Sequence, residues 1–563
     1  MTDELKHECA VAMVVLRRPP PAAGDFGGTK LSLLLEKQHN RGQDGAGAAI
    51  LCARPVPGAP PCWIAKSASA TPLSDVLGAV ARRRVSFDGK ETHERIFLGH
   101  LRYATFGRND TSFCHPFVHE SSELAHTLLL AGNFNLTNAS ELFDDYSRRG
   151  SFPTSRADGY LICEMIAHNL ARNTIAEAIE KALGDADGAW TLCGMTGDGW
   201  AFATRDPHGI RPGFYYVDGD VAVVASERPA IQAAFDVPPE AVKELPPGGA
   251  LIVSPDGGVQ MSELNSAINA PPRPCAFERI YFSRANDADI HRERKALGAS
   301  LLPQILEAAD APIEDIFFSY IPNSARIAFH GLVEELFRAT KPRFGEIAVK
   351  DAKFRTFIAD AAARREFYKH IYDVTYGLVR PGRDTLVVLD DSIVRGNTMK
   401  NAILPMLDRL GPRRIVIASS APPIRYPDCY GIDMSTLGEL VAFRALANLL
   451  GENAEMELRT QDLPLLYARF SEGEHAAEIA RLLTPPGMKA EVKVVYQTVE
   501  NLRKCLMPVG TGGAADNSTV SSLHSPFAIG DWYFTGDYPT PGGYKVLHKA
   551  LANYLGHKDE RSY

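Results

Sequence analysis

The sequence predicts two domains of different class: an α+β half with layered antiparallel sheets, then an α/β half with a doubly wound parallel sheet. Three observations carry this. Short apolar segments broken by Gly, Asp and Asn recur through the first half, as strands and turns do. The stretch Asn269-Ala270-Pro271-Pro272-Arg273-Pro274 then interrupts the pattern, because prolines this dense resist both helix and sheet and mark a linker. Beyond it, strands alternate with helices.

In the first half, residues 96–98, 127–130, 200–204, 213–217 and 221–225 read as strands. Residues 161–170, after Asp158-Gly159, have helical apolar spacing. In the second half, 316–321 reads as a strand, 326–340 as a helix, 385–389 as a strand, 399–410 as a helix and 414–418 as a strand. Residues 385–418 thus form one β-α-β unit, which dictates parallel strands. Helices follow at 438–450 and 474–483, and 508–522 reads as a flexible surface insertion. Gly510-Thr511-Gly512 lacks a third glycine and a preceding strand, so it is no dinucleotide loop.

Composition narrows the function classes. At roughly 100–200 residues per domain, 563 residues make two to four domains. Lys and Arg number 60 against 68 Asp and Glu, a net charge of −8, which argues against nucleic-acid binding. No apolar run approaches the ~20 residues that span a bilayer, so no membrane partner is expected. The acidic segment 1–8 is no signal peptide. Nine cysteines are too few for a disulfide scaffold in so long a chain, and the lack of a C-x-x-C pair argues against a zinc finger; reduced thiols and a cytoplasmic location are expected.

The run 385–398, TLVVLDDSIVRGNT, carries the first chemical signal. A buried strand ends in Asp390 and Asp391, and a short loop with Ser392, Arg395, Gly396 and Asn397 enters a helix at Thr398. Ligands bind at such strand ends, and the helix N-terminus suits a phosphate. Two carboxylates beside it suit sugar hydroxyls or Mg²⁺. The run resembles the phosphoribosyl-diphosphate (PRPP) motif of type I phosphoribosyltransferases. That resemblance implies a diphosphate-holding turn at 317–326 with a metal contact from Ser324, although Asn323 stands where the family usually has an acid. It also implies a closing loop with Lys350, Lys353 and Arg355.

The second signal is Cys9, followed by small apolar residues. A thiol needs a base or a lowered pKa to attack. If residues 1–8 are removed as a propeptide, the α-amine of Cys9, with a pKa near ~7.7–8, can take the thiol proton itself. The segments 38–47, 99–105 and 132–138 follow in order, and with Cys9 they resemble class II glutamine amidotransferases. With the PRPP loops, nearly the whole chain resembles the amidophosphoribosyltransferase family, the glutamine PRPP amidotransferases of purine synthesis.

The resemblance implies an N-terminal-nucleophile four-layer sandwich over 9–270 and a phosphoribosyltransferase domain over 271–563, the latter with a C-terminal helical extension. It implies that Cys9 attacks the glutamine amide and that the Asn133 side chain and Phe134 backbone N–H form the oxyanion hole. Arg102 would grip the substrate α-carboxylate and Asp158 its ammonium. Glutamine and PRPP are the implied substrates, Mg²⁺ on Ser324, Asp390 and Asp391 the implied metal, and a homo-oligomer the implied assembly. Where the family reads Cys-Gly, Asn-Gly-Asn and Asp-Ser-Glu, this chain reads Cys9-Ala10, Asn133-Phe134-Asn135 and Asp158-Gly159-Tyr160. The Cys-x-x-Cys of cluster-bearing relatives is replaced by Gly530-Asp531-Trp532-Tyr533, so no iron–sulfur cluster is expected. Two alternatives are a different class II amidotransferase and a non-catalytic regulatory paralogue that binds PRPP.

Overall fold

Two antiparallel sheets stack in the first half of the chain. The computed structural model describes residues 8–18, 25–52, 62–83, 86–87, 90–91, 94–103, 110–151, 153–155, 157–264, 271–350, 372–506 and 529–558. The first sheet has seven strands, with Ala10–Leu16 and Glu94–Arg102 side by side at its centre. The second has six, with Gly188–Thr196 paired to Leu128–Leu136. Strand Ala10–Leu16 shows why the sheets stack. Val11, Met13 and Val15 face the second sheet, whereas Ala10, Ala12 and Val14 face the covering helices. A strand buried on both faces reads as a continuous apolar run.

Helices Phe26–Lys37, Pro72–Arg82 and Arg228–Phe235 cover the first sheet through Leu31, Val76 and Ile231. Helices Asp158–Leu170 and Ile175–Leu183 cover the second through Leu161, Ile166 and Ile179. The result is the four-layer α-β-β-α sandwich.

The second half builds a five-stranded parallel sheet in the order Arg343–Phe344, Ile316–Tyr320, Thr385–Asp390, Arg414–Ser419, Glu491–Tyr496. Leu386, Val388 and Ile415 enter one core, Val387, Leu389 and Val416 the other, so both faces are covered. Asp390, Asp391 and Ser419 lie at the carboxyl edge, the ligand edge of such sheets.

Two expectations need correction. The helix expected over 399–410 is a wide π turn, Met399–Ile403, followed by a short α-helix, Leu404–Asp408. Pro405 has no N–H to close the ordinary i→i−4 bond, and the preceding turn opens. The proline-rich linker is packed rather than free where it is described. The Arg273 N–H donates to the His208 carbonyl, and the Gly530 N–H to the Pro274 carbonyl. Ala189 and Ile210 of the first half share one core with Phe277, Tyr430 and Trp532 of the second.

Candidate active sites

Cys9 sits directly before the central strand Ala10–Leu16, whose neighbour Glu94–Arg102 ends beside it. The Tyr103 N–H donates to Cys9 Sγ at 3.3 Å. Burial pushes the thiol up to about 11, opposed by the Tyr103 N–H and the Arg102 charge, while Asp158 and Asp44 add to the rise. The fold thus gathers Arg102, Asp158 and Asp44 within electrostatic reach of the sulfur. Arg102 is buried, its guanidinium 5.7 Å from the Phe113 ring centroid. Asp158 lies in the first turn of Asp158–Leu170, accepts from the Gly159 N–H at 2.9 Å, and is raised to about 6 by burial.

The register of the second sheet defines which backbone donors face this site. Gly132, Asn133 and Phe134 pair with Leu192, Thr191 and Trp190. The Gly132 N–H donates sideways to His115 Nδ1 at 3.2 Å, so 132 and 192 are a non-hydrogen-bonded pair. By alternation 134 and 190 are another, and the Phe134 N–H points off the sheet edge on the same side as Gly132. The neighbouring strand Phe117–His119 reaches only Leu128–Leu130, leaving that edge open. The Phe134 N–H and the buried Asn133 amide therefore flank the end of strand 10–16 as two donors.

The two departures at 134 and 159 compensate each other. A Cβ on Gly159 would lie 2.6 Å from the Phe134 ring and 2.5 Å from the Phe117 ring. The large ring at 134 fills the space that glycine leaves at the start of helix Asp158–Leu170.

Sequence reasoning missed a buried ion cluster beside Cys9. Arg41 makes a bidentate pair with Glu278, at 2.7 and 3.1 Å, and donates from Nε to Glu227 at 2.8 Å. Glu8, inside the expected propeptide, is also buried. Its carboxylate pairs with Arg211, lies 3.7 Å from Arg41 and accepts from Asn133 Nδ2 at 3.4 Å. The Gly42 N–H holds the Glu8 carbonyl at 2.9 Å. Polar residues spaced along five distant segments gave no local signal for this cluster.

The second site lies at the carboxyl edge of the parallel sheet. The Asp391 N–H donates to Asp390 Oδ1 at 3.0 Å, and Ser392 Oγ to Asp391 Oδ1 at 2.9 Å. Burial raises the Asp391 carboxyl, while hydrogen bonds from Ser324 and Ser392 and the buried Arg294 lower it. Ser324 and Asp391, 67 positions apart, are thus brought together. Gly396 has φ +80°, and a Cβ there would strike Leu483 at 2.2 Å, so only glycine fits this turn. Asn397 is exposed and Thr398 half-buried at the start of the following turn. Arg395 is buried and engaged with Glu439 at 2.8 Å and with the Asp433 carbonyl at 3.0 Å. Lys353, Arg355, residues 1–7 and the 508–522 insertion lie outside the described residues, as does the side chain of Lys350.

Among the described residues no three His, Cys, Asp or Glu side chains converge on a metal position. Asp390, Asp391 and the Ser324 hydroxyl nevertheless fit Mg²⁺, a hard cation held through one or two carboxylates with substrate phosphates supplying further oxygens.

The two sites are linked. Tyr103, whose N–H touches Cys9, donates from its hydroxyl to Asp433 Oδ2 at 3.4 Å, and Asp433 is shared with Arg395 of the acidic loop. Asn135 Nδ2 donates to the Cys429 carbonyl at 2.7 Å.

A cysteine directly before the central strand of a four-layer sandwich, joined to a parallel sheet with an acidic strand end, fits the two-domain glutamine amidotransferase class. A family profile described as a glutamine amidotransferase domain matches residues 114–233. The amidophosphoribosyltransferase of Bacillus subtilis is 33% identical over 355 residues, 61% of this chain and 69% of that protein. That of Archaeoglobus fulgidus is 30% identical over 351 residues, 61% of this chain and 72% of that protein. A solved glutamine phosphoribosylpyrophosphate amidotransferase from B. subtilis, complexed with ADP and GMP, is similar with a TM-score of 0.67 at 25% identity, covering 94% of this chain and 97% of that one. The chain belongs to the amidophosphoribosyltransferase family. No helix among the described residues is long and apolar enough to cross a membrane.

Proposed function

We propose that this protein transfers the amide nitrogen of glutamine to PRPP, releasing glutamate and diphosphate and forming 5-phosphoribosylamine, an early step of purine synthesis. The observation that carries this reading is the pairing within one chain of Cys9, flanked by Asn133 and the Phe134 N–H, with the Asp390–Asp391 strand end, linked through Tyr103 and Asp433.

In the first domain, residues 9–270, Arg102 binds the α-carboxylate of glutamine as a planar fork and Asp158 binds its ammonium. Once residues 1–8 are gone, the α-amine of Cys9 takes the proton of its own thiol. The sulfur attacks the side-chain carbonyl, and Asn133 and the Phe134 N–H hold the resulting oxyanion. Ammonia leaves, and water then releases glutamate from the thioester.

In the second domain, residues 271–563, the turn carrying Ser324 and the loop Asp390–Thr398 hold PRPP. Gly396 lets backbone N–H groups approach the phosphate, Ser392, Asn397 and Thr398 add polar contacts, and Arg395 fixes the loop against Asp433 and Glu439. Lys350, Lys353 and Arg355 supply cations to a closing segment that keeps water from the sugar centre. Ser324, Asp390 and Asp391 would hold Mg²⁺, which would supply charge stabilisation for the departing diphosphate. Ammonia displaces that diphosphate at C1 of the sugar. The reading includes a homo-oligomeric assembly and a cytoplasmic location.

The test is a split of activities. Cys9→Ala abolishes glutamine use and spares synthesis from free ammonia. Asp391→Asn does the reverse, leaving glutamine hydrolysis in place. Loss of both activities in either variant, with the fold intact by circular dichroism, contradicts the two-site reading.

A further inference from the structure

The first-half site contains two buried histidines that the mechanism above does not use. His100 lies on Glu94–Arg102, two residues before Arg102, and so projects to the same face of the sheet. His115 lies just before the strand Phe117–His119. Their rings stack face to face, 3.8 Å between centroids with 7° between planes. Each holds one side of the same peptide residue. His100 Nε2 meets the Gly132 carbonyl at 3.0 Å, and His115 Nδ1 accepts the Gly132 N–H at 3.2 Å. These contacts fix both tautomers: His100 carries its proton on Nε2, and His115 Nδ1 is bare. His115 also stacks against the Phe134 ring, 5.4 Å between centroids.

The pair stands where a strand would otherwise be. The ladder of Phe117–His119 begins at Phe117 opposite Leu130 and does not extend to Gly132, leaving the outward N–H and C=O of Gly132 without a ladder partner. The imidazoles satisfy both groups with side-chain atoms. The next N–H on that edge, at Phe134, is thereby left to face the substrate. A third strand continuing the ladder would have consumed it.

We propose that His100 and His115 form a stacked imidazole clamp that positions the Asn133 and Phe134 oxyanion donors by gripping the Gly132 backbone. They are positioning residues: neither touches the reacting atoms, and neither exchanges a proton. Burial holds both rings neutral, with His100 pushed down to about 3 and His115 lowered further by His100, Lys66 and Arg102. Neutrality matters because a protonated His115 Nδ1 could no longer accept the Gly132 N–H. Arg102 lowers both rings, and Lys66 and the neighbouring His100 ring lower His115; the two cations reinforce the neutral state.

The clamp rests on the glutaminase reading, and the experiment separates the two. His115→Asn keeps an acceptor oxygen at the position of Nδ1, whereas His115→Leu keeps volume and loses the acceptor. His100→Gln likewise keeps a donor at the Nε2 position. Glutamate release is measured for each, with ammonia-dependent synthesis and thermal unfolding alongside. Displacing an oxyanion donor costs on the order of 10²-fold in kcat. The expected result is a loss of that size in kcat for His115→Leu, KM for glutamine unchanged within about twofold, and recovery of most of the rate in His115→Asn and His100→Gln. In an Asn133→Ala background the His115→Leu loss shrinks, because both act through the same hole. Equal losses in His115→Leu and His115→Asn, or a loss carried by KM, overturns the clamp while leaving the glutaminase reading intact. Wild-type protein that releases no glutamate overturns that reading instead.

Discussion

Removing residues 1–8 is the perturbation with the largest effect on the glutaminase. In the chain that retains Glu8, its carboxylate accepts from Asn133 Nδ2 at 3.4 Å, so the amide proposed as an oxyanion donor is already engaged. The nitrogen of Cys9 is an amide and cannot act as a base, and the thiol is raised to about 11. At pH ~7.5 about one thiol in 3,000 is ionised at that pKa. Freeing the α-amine restores a general base, worth about 10²–10⁴ in rate. Freeing the Asn133 amide restores an oxyanion donor, worth about 10²–10³. Because groups acting together are not additive, a combined gain of at least about 10³-fold is the conservative expectation. Charge balance permits the change. Glu8, Glu227 and Glu278 face Arg41 and Arg211 before removal; Glu227 and Glu278 face the same two afterwards, so no guanidinium loses its only partner. The assay compares glutamate release by a form beginning at Cys9 with one retaining residues 1–8, each defined by intact mass, and follows unfolding temperature in both. Rates within tenfold of each other would refute this reasoning, as would collapse of the fold on removal.

Three further outcomes follow from contacts at the two sites. Gly159→Ala destabilises by about 1–3 kcal/mol through overpacking against Phe117 and Phe134, and chemical denaturation of Gly159→Ala/Phe134→Gly shows less than the summed loss; strict additivity would deny the compensation. In Cys9→Ala protein, calorimetry of a non-reacting glutamine analogue gives a flat affinity above pH ~6 and about tenfold weakening per unit below it, because Asp158, raised to about 6, must be ionised to pair with the ammonium; unchanged affinity at pH ~4.5 would remove Asp158 from that role. The Tyr103–Asp433 contact predicts that added PRPP changes the rate of glutamine hydrolysis and that this effect falls about tenfold in Tyr103→Phe; an effect of equal size in both proteins would show that the contact does not couple the sites.

The elements that the sequence reveals are those with local signals. Strand 385–390 and the acidic loop are legible because an apolar run, two acids and a glycine turn adjoin one another. The strand Gly45–Cys52 carries no such signal, since its GAGAAILC run lacks β-branched residues until Ile50; a Cβ on Gly47 within it, or on Gly42 just before it, would overlap neighbouring backbone. Cys9 gains meaning only with distant segments, and the roles of Glu8, Arg41, His100 and His115 arise wholly from tertiary approach. Arg395 illustrates the limit of loop motifs: its position is legible, but its engagement with Glu439 and Asp433 depends on residues about 40 positions away. The Phe134 and Gly159 departures, which look independent along the chain, are one packing event.

The most direct test of the two-site account is the product balance of a single reaction containing the form that begins at Cys9, glutamine, PRPP and Mg²⁺, with glutamate and diphosphate quantified together. The account predicts equal amounts of the two products, with diphosphate release dependent on glutamine or added ammonia. Glutamate formed without diphosphate at saturating PRPP, or neither product from protein that binds both substrates, would contradict it.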